Sequence, residues 1–440
     1  MKRVAVVPEE QSVEISAPYH FRVDVVSQFD GKTIRGGRSD EIRRNVHAFR
    51  FLAPHYHGDG THCRELLVKV TVYEPGRPRR IVSKLLIPPK SRDAQVRLGM
   101  SPEELRAFPC NRAILSNGAG AASQVRAGWG EIASQYDALL AANPNPDVPS
   151  DRVNVWARTR CWLQREGYTR QLDNRCEFAF NADPGGKGVE WHFRVPCGMG
   201  KSASFNFELT LAEGSNVARL RVTRYAVKDE EDVGDQVRLV FRPDIEWRSF
   251  HATTKAFAGA EKLFAKSCEA TDKAVLFRPY DGTFKLAVEG GEYHHEPQWE
   301  YNVPHGEEAE RGQDGSGDLF SPGWISADLK IGDAVSLVGT FGDCADLHWG
   351  LEAFPSVATT SFGDALRRAL DLFIVRRDEL KTVIAGYPWF LDWGRDTFIF
   401  MRGMIAAGKI ADSVKILKAF AAFEENGTLP NIIYGKPAGN

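Results

Sequence analysis

Between residues 201 and 225 apolar and polar side chains alternate with a period of two. Phe205, Phe207, Leu209 and Leu211 interleave with Asn206, Glu208 and Thr210; Ala218, Leu220 and Val222 interleave with Arg219, Arg221 and Thr223. That period puts each apolar set on one face of a pleated strand, whereas a helix would scatter it around the axis. Glu213-Gly214-Ser215-Asn216 lies between the two runs and has the chemistry of a turn. The pattern returns at Val237/Leu239/Phe241, at Phe284/Leu286/Val288 and at Ile325/Ala327/Leu329, then at Val335/Leu337 after Lys330-Ile331-Gly332-Asp333. Earlier, residues 66–73 and 81–87 form a strand pair across Glu74-Pro75-Gly76-Arg77-Pro78. Many short alternating strands joined by polar turns predict an N-terminal antiparallel β-sandwich.

Two segments break the pattern. Around residues 100–145, Ser101-Pro102-Glu103-Glu104 has the form of a capping box, and residues 131–142 place Ile132, Tyr136, Leu139 and Leu140 on one stripe. The reading is a helical insertion that ends at Asn143-Pro144-Asn145-Pro146-Asp147. After about Pro355 helical periodicity takes over, at residues 364–376, 396–407 and 411–423, with a stop at Glu424-Glu425-Asn426-Gly427. Two domains are expected, 1–355 and 356–440.

Composition removes several classes of function. With 43% hydrophobic and 26% charged residues, the 440-residue chain has the make-up of a soluble globular protein. Its 56 Lys+Arg against 58 Asp+Glu give a formal charge of −2, which argues against a nucleic-acid protein held by a basic surface. No apolar run approaches a membrane span, and MKRVAVVPEEQSVE has no apolar core of the signal-peptide kind, so a cytoplasmic location is expected. The seven cysteines form no C-x-x-C pair and are read as reduced, buried thiols. His55, His57, His62 and Cys63 are the only dense histidine group, and without a metal-binding helix around them they read as a polar loop. Residues 228–235 read as a solvated hairpin tip. Residues 307–318 form a long acidic connection without a calcium-loop register.

The densest chemistry lies at the start of the second helical run: Gly386-Tyr387-Pro388-Trp389-Phe390-Leu391-Asp392-Trp393-Gly394-Arg395-Asp396-Thr397. Sugar rings have apolar C–H faces rimmed by hydroxyls. A site for them needs aromatic platforms beside carboxylate and guanidinium hydrogen-bonders. The same residues also serve ordinary core packing and helix capping.

GYPWFLDWGRDTFI closely resembles the segment near the start of the catalytic domain in bacterial and archaeal glycogen debranching enzymes, the amylo-α-1,6-glucosidase part. The segments LVFRPDIEWRSFHATTKAF and EEAERGQDGSGDLFSPGWISADLKIGD look like stretches of that family's N-terminal domain, and TLPNIIYG resembles a loop after its early helices. The resemblance implies a β-rich domain followed by an (α/α)6 barrel of the glucoamylase kind. It also implies a branched α-glucan such as glycogen as substrate, no cofactor and no metal. It places Arg395 and Asp396 on the hydroxyls of the terminal glucose, with Trp393 and Trp389 walling the pocket and Tyr387, Asp392 and Asn431 as further pocket residues. The family's reaction is inverting hydrolysis by two carboxylates, which the resemblance puts later in the barrel, beyond Asn440. Twelve helices with short loops need at least about 200 residues. A truncated barrel start is therefore expected, inactive alone and open to self-association through exposed apolar helix faces. A non-catalytic carbohydrate-binding β-sandwich, or an (α/α)6 glucosidase for another α-glucoside, remain the alternatives.

Overall fold

The strands Lys201–Leu211 and Val217–Tyr225 run antiparallel with Leu209 opposite Leu220, so both apolar sets point to the same side. The computed structural model of the chain describes residues 4–28, 30–57, 63–88, 95–96, 99–102, 105, 111–145, 147–149, 152–227, 231–234, 236–342 and 360–433. Glu103, Glu104, Cys110, Cys344, His62, Gly435, the 355/356 boundary and part of 228–235 lie outside the described residues.

The chain forms two compact units, one from residues 1–97, 106–108 and 358–366, the other from 98–105, 109–357 and 367–440. In the first, Val4–Val6, Pro78–Ile87, Arg64–Tyr73, Phe21–Ser27 and Thr33–Arg38 make a five-stranded sheet. Ser12–Ala17, Val46–Leu52 and Asp40–Arg43 make a three-stranded one. Phe21, Val23, Val25, Val68 and Val70 share a core with Ile15 and Phe51, which joins the two sheets face to face. The expected strand pair is present as Arg64–Tyr73 and Pro78–Ile87.

The second unit contains a nine-stranded and an eight-stranded sheet among its described residues. Lys201–Leu211, Val217–Tyr225, Ala334–Phe341 and Phe284–Glu289 are neighbours in the first; Val153–Arg165, Val237–Ser249, Ser316–Leu329 and Glu292–Pro304 are neighbours in the second. Phe205, Phe207 and Leu209 meet Leu163, Leu239 and Phe241 in one core, as two inner faces of a β-sandwich should.

The helix expected over residues 131–142 is overturned. In the described part of residues 100–145, Arg112–Ser116, Ala122–Arg126 and Ala138–Ala142 are consecutive strands of the eight-stranded sheet. Among the described residues of this stretch, Pro102 and Leu105 are the helical ones. All five residues of Ala138–Ala142 are buried, and a short apolar run covered on both faces carries no period that separates strand from helix. Asp137 also competes locally: its carboxylate accepts the N–H groups of Ala133 (2.9 Å) and Ser134 (3.0 Å), closing a side-chain turn where a helix would have begun.

A second correction falls at residues 364–376. The helix is Phe362–Asp371, and β-branched Ile374 and Val375 open a hairpin of Ile374–Arg377 with Leu380–Val383. The helices Gly394–Ala406 and Ile410–Ala421 follow, joined across Gly408 at φ +80°, and Met401, Met404, Ile416 and Phe420 pack between them and the hairpin. No described helix is long and apolar enough to cross a membrane.

Candidate functional site

The segment between the hairpin and the Gly394–Ala406 helix closes on itself through two backbone bonds, from Ala385 N–H to the Leu391 carbonyl (2.9 Å) and from Phe390 N–H to the Gly386 carbonyl (3.0 Å). Trp393 is the N-cap, with extended backbone and no side-chain cap. Gly394 donates its N–H to the Asn431 carbonyl at 2.8 Å, and Trp393 bridges to Ile432. A Cβ on Gly394 would stand 2.5 Å from the Pro430 carbonyl oxygen, so only glycine lets the later loop lie against the helix start.

The expected pocket residues divide into an interior and an outward set. Tyr387 is buried, with its hydroxyl 3.2 Å from Ser116 Oγ. Asp392 is buried and takes a 2.6 Å bond from Arg377 Nη1. Burial raises its pKa to about 6, opposed by the neighbouring Arg377 charge. Trp389 is partly buried with the guanidiniums of Arg112 and Arg311 over its indole at 5.0 and 5.2 Å, and its shielded Nε1–H has no hydrogen-bond partner among the described residues. Trp393 packs edge-on to Phe390 with ring centroids 5.2 Å apart.

Arg395 and Asp396 stand in the first turn of the helix with side chains 68% and 39% exposed, so both face outward. Their charged groups form an ion pair at 3.6 Å, in which Asp396 Oδ2 is itself shielded from solvent and accepts no hydrogen bond, so the second carboxylate oxygen is the one left to face a ligand. Asn431 is exposed, brought beside Gly394 by its backbone. The outward set can therefore offer an acceptor and a donor side by side. The interior set holds the loop in shape.

Four residues that sequence reading did not single out position this loop. Arg152, buried, donates to the carbonyls of Pro388 (2.7 Å) and Phe390 (3.3 Å) and lies over the rings of Phe250 (4.4 Å) and Tyr387 (5.1 Å). Burial pulls its pKa down, opposed by Tyr387 and Tyr136 alone. Ser116, Arg112 and Arg311 complete the seat. Glu307 in the acidic connection accepts from Arg112 and Arg126, each at 2.7 Å, so that connection braces the seat. Its neighbour Glu308 is fully buried and accepts from Ser134 Oγ and Gln135 N–H. Partners 181 to 271 residues apart leave no local signal in a sequence.

Among the described residues no group of three or more His, Cys, Asp and Glu side chains could hold a metal ion. The protein is of the β-sandwich class, with a helix-opening loop of aromatics, a guanidinium and a carboxylate seated on the sandwich. The chain belongs to the glycogen debranching enzyme family. The family model "Glycogen debranching enzyme N terminal" matches residues 112–336, just over half of the chain, and "Amylo-alpha-1,6-glucosidase" matches residues 368–439. No curated protein matches the chain. Among solved structures it is similar to Escherichia coli alpha-2-macroglobulin activated by porcine elastase, at 11% identity over 78% of this chain and 28% of that one, with a TM-score of 0.17. That likeness carries no argument, and the chain spans well under a third of that protein's length.

Proposed function

We propose that this chain supplies the substrate-holding part of an α-1,6-glucosidase that removes the glucose left at a glycogen branch point. The family supports this reading. The helices Gly394–Ala406 and Ile410–Ala421 are read as the opening pair of an (α/α)6 barrel occupying residues from 356 on, after a β-rich domain at 1–355. The reaction is hydrolysis with inversion, in which one carboxylic acid protonates the leaving oxygen and a second carboxylate, about 6.5–9.5 Å away, activates water. No residue of the chain is assigned either role. Asp392 is committed to Arg377 in the interior, and Asp396 belongs to the sugar-holding set. The setting is the cytoplasm and no cofactor is required.

One observation carries the reading: Arg395 and Asp396 form an ion pair at 3.6 Å in the first turn of a helix, with side chains 68% and 39% exposed. Two adjacent sugar hydroxyls satisfy such a pair, one donating to the carboxylate and the other accepting from the guanidinium. The test is an NMR titration of the chain with a branched maltooligosaccharide. Asp396→Asn and Arg395→Ala should each weaken binding at least about tenfold, the scale of one lost charge-assisted hydrogen bond. Equal affinity in wild type and both variants would overturn the assignment. Glucose release from phosphorylase limit dextrin by the 440-residue chain would place the acid and base within it.

A further inference from the structure

A second cleft, of about 690 Å³, opens on the outer face of the eight-stranded sheet, and none of its lining residues belongs to the 387–396 loop. Its floor is built from charges that cancel. Asp244, fully buried on Val237–Ser249, accepts from Arg158 Nε at 2.7 Å and from Arg160 Nη2 at 2.8 Å. Glu300, on Glu292–Pro304, faces the other edge of the same two guanidiniums at 2.9 and 2.8 Å. Two cations and two anions thus hold one another, which makes this part of the floor rigid and neutral in itself.

The walls add the rest. Trp162 and Trp299 line the cleft, with Arg160 5.8 Å from the Trp162 ring centroid. Gln171, Asn174 and Gln298 bring amides that both donate and accept. An anion would find its guanidiniums taken and Glu131 and Asp173 nearby. A metal ion would have to displace arginines from their carboxylates. An apolar ligand would cover charges without compensating them. Indole rings beside amides and carboxylates, with the two arginines already paired, suit a neutral polyhydroxylated chain whose hydroxyls donate and accept.

We infer that this cleft, between Trp162 and Glu300, is a second carbohydrate-binding site that holds an α-glucan chain on the sandwich, apart from the loop at Arg395 and Asp396. That the ligand is a sugar follows from the cleft. That it is an α-glucan rests on the proposed function. Such a site would keep the protein on its polymer while the other site addresses a branch.

Native affinity electrophoresis of the 440-residue chain, in gels holding glycogen or xylan, tests it. Glycogen should retard the chain. Trp162→Ala and the milder surface change Gln171→Ala should each raise the apparent Kd at least about fivefold, in keeping with loss of a stacking platform or an amide contact. Both variants should keep the far-ultraviolet circular dichroism of the parent, and Asp396→Asn should retain the retardation due to the cleft. Glycogen retardation unchanged in both variants would overturn the cleft while leaving the proposed function standing. Xylan retardation lost in Trp162→Ala, with none by glycogen, would uphold a sugar cleft and overturn the α-glucan. No retardation on either polymer would overturn the site.

Discussion

Arg152 donates to the carbonyl oxygen of Pro388 at 2.7 Å, tying the residue that leads into the strand Val153–Arg165 to a loop 236 residues later. It is a buried cation held by two carbonyls and two aromatic rings, an arrangement worth more for the loop's position than for net stability. Arg152→Ala should lower unfolding free energy by about 2 kcal/mol through unpaired carbonyls and a cavity. It should also speed amide exchange across residues 387–396, read by mass spectrometry. Unchanged exchange there would mean the clamp is not what orders the loop.

Tyr387 separates the interior set from the outward one. If its hydroxyl serves only Ser116, Tyr387→Phe should cost about 1 kcal/mol in denaturant unfolding and leave glucan affinity as it is. A clear loss of affinity at unchanged stability would put Tyr387 in contact with sugar.

Asp392 and His305 give stability opposite pH dependences. Burial raises Asp392 from 3.8 to about 6, so the native state holds its proton more tightly than the unfolded chain. Its contribution is full below pH 4 and lost as pH rises to about 6, by about 3 kcal/mol. His305 is lowered from 6.5 to about 4, first by burial and then by Arg248. Its contribution is present above pH 6.5 and lost as pH falls to about 4, by a similar amount of about 3 kcal/mol. Wild-type stability should therefore vary little from these two groups between pH 4 and 6. His305→Gln should gain stability toward acid relative to wild type, and Asp392→Asn should lose that gain, both read from urea midpoints at a series of pH values.

Ile410, Val414 and Leu417 are exposed along one stripe of the last described helix, while Ile416 and Phe420 are buried on another. A helix apolar on two faces seeks a second partner. The chain should associate with increasing concentration in sedimentation velocity, and Val414→Lys with Leu417→Lys should shift it toward monomer. A single sharp monomer boundary for wild type at high concentration would remove this expectation.

Asp396 sits in the first turn of its helix, where a carboxylate also favours the helix dipole. Asp396→Asn should therefore cost no more than about 1 kcal/mol, so any tenfold loss of affinity cannot be traced to unfolding. A large drop in melting temperature would make the residue a structural cap instead.

Local pattern determined the strands from Lys201–Leu211 to Ala334–Phe341, because alternation with a period of two suits only a sheet with one buried face. It also determined the two helices around Met401 and Ile416, and the aromatic, Asp-rich loop between hairpin and helix, because composition and spacing are properties of neighbours in the chain. Tertiary structure decided what neighbours cannot show. Ala138–Ala142 became a strand buried on both faces, and coverage, not propensity, sets the state of a short apolar run. The same folding separated Asp392 from Asp396, four residues apart in one motif. Arg377 from the hairpin draws the first carboxylate inward, and the first turn of the helix carries the second outward. The partners that seat the loop, Arg152, Ser116, Arg112 and Arg311, come from strands and turns far away in the chain. Their roles exist only once the sandwich has closed.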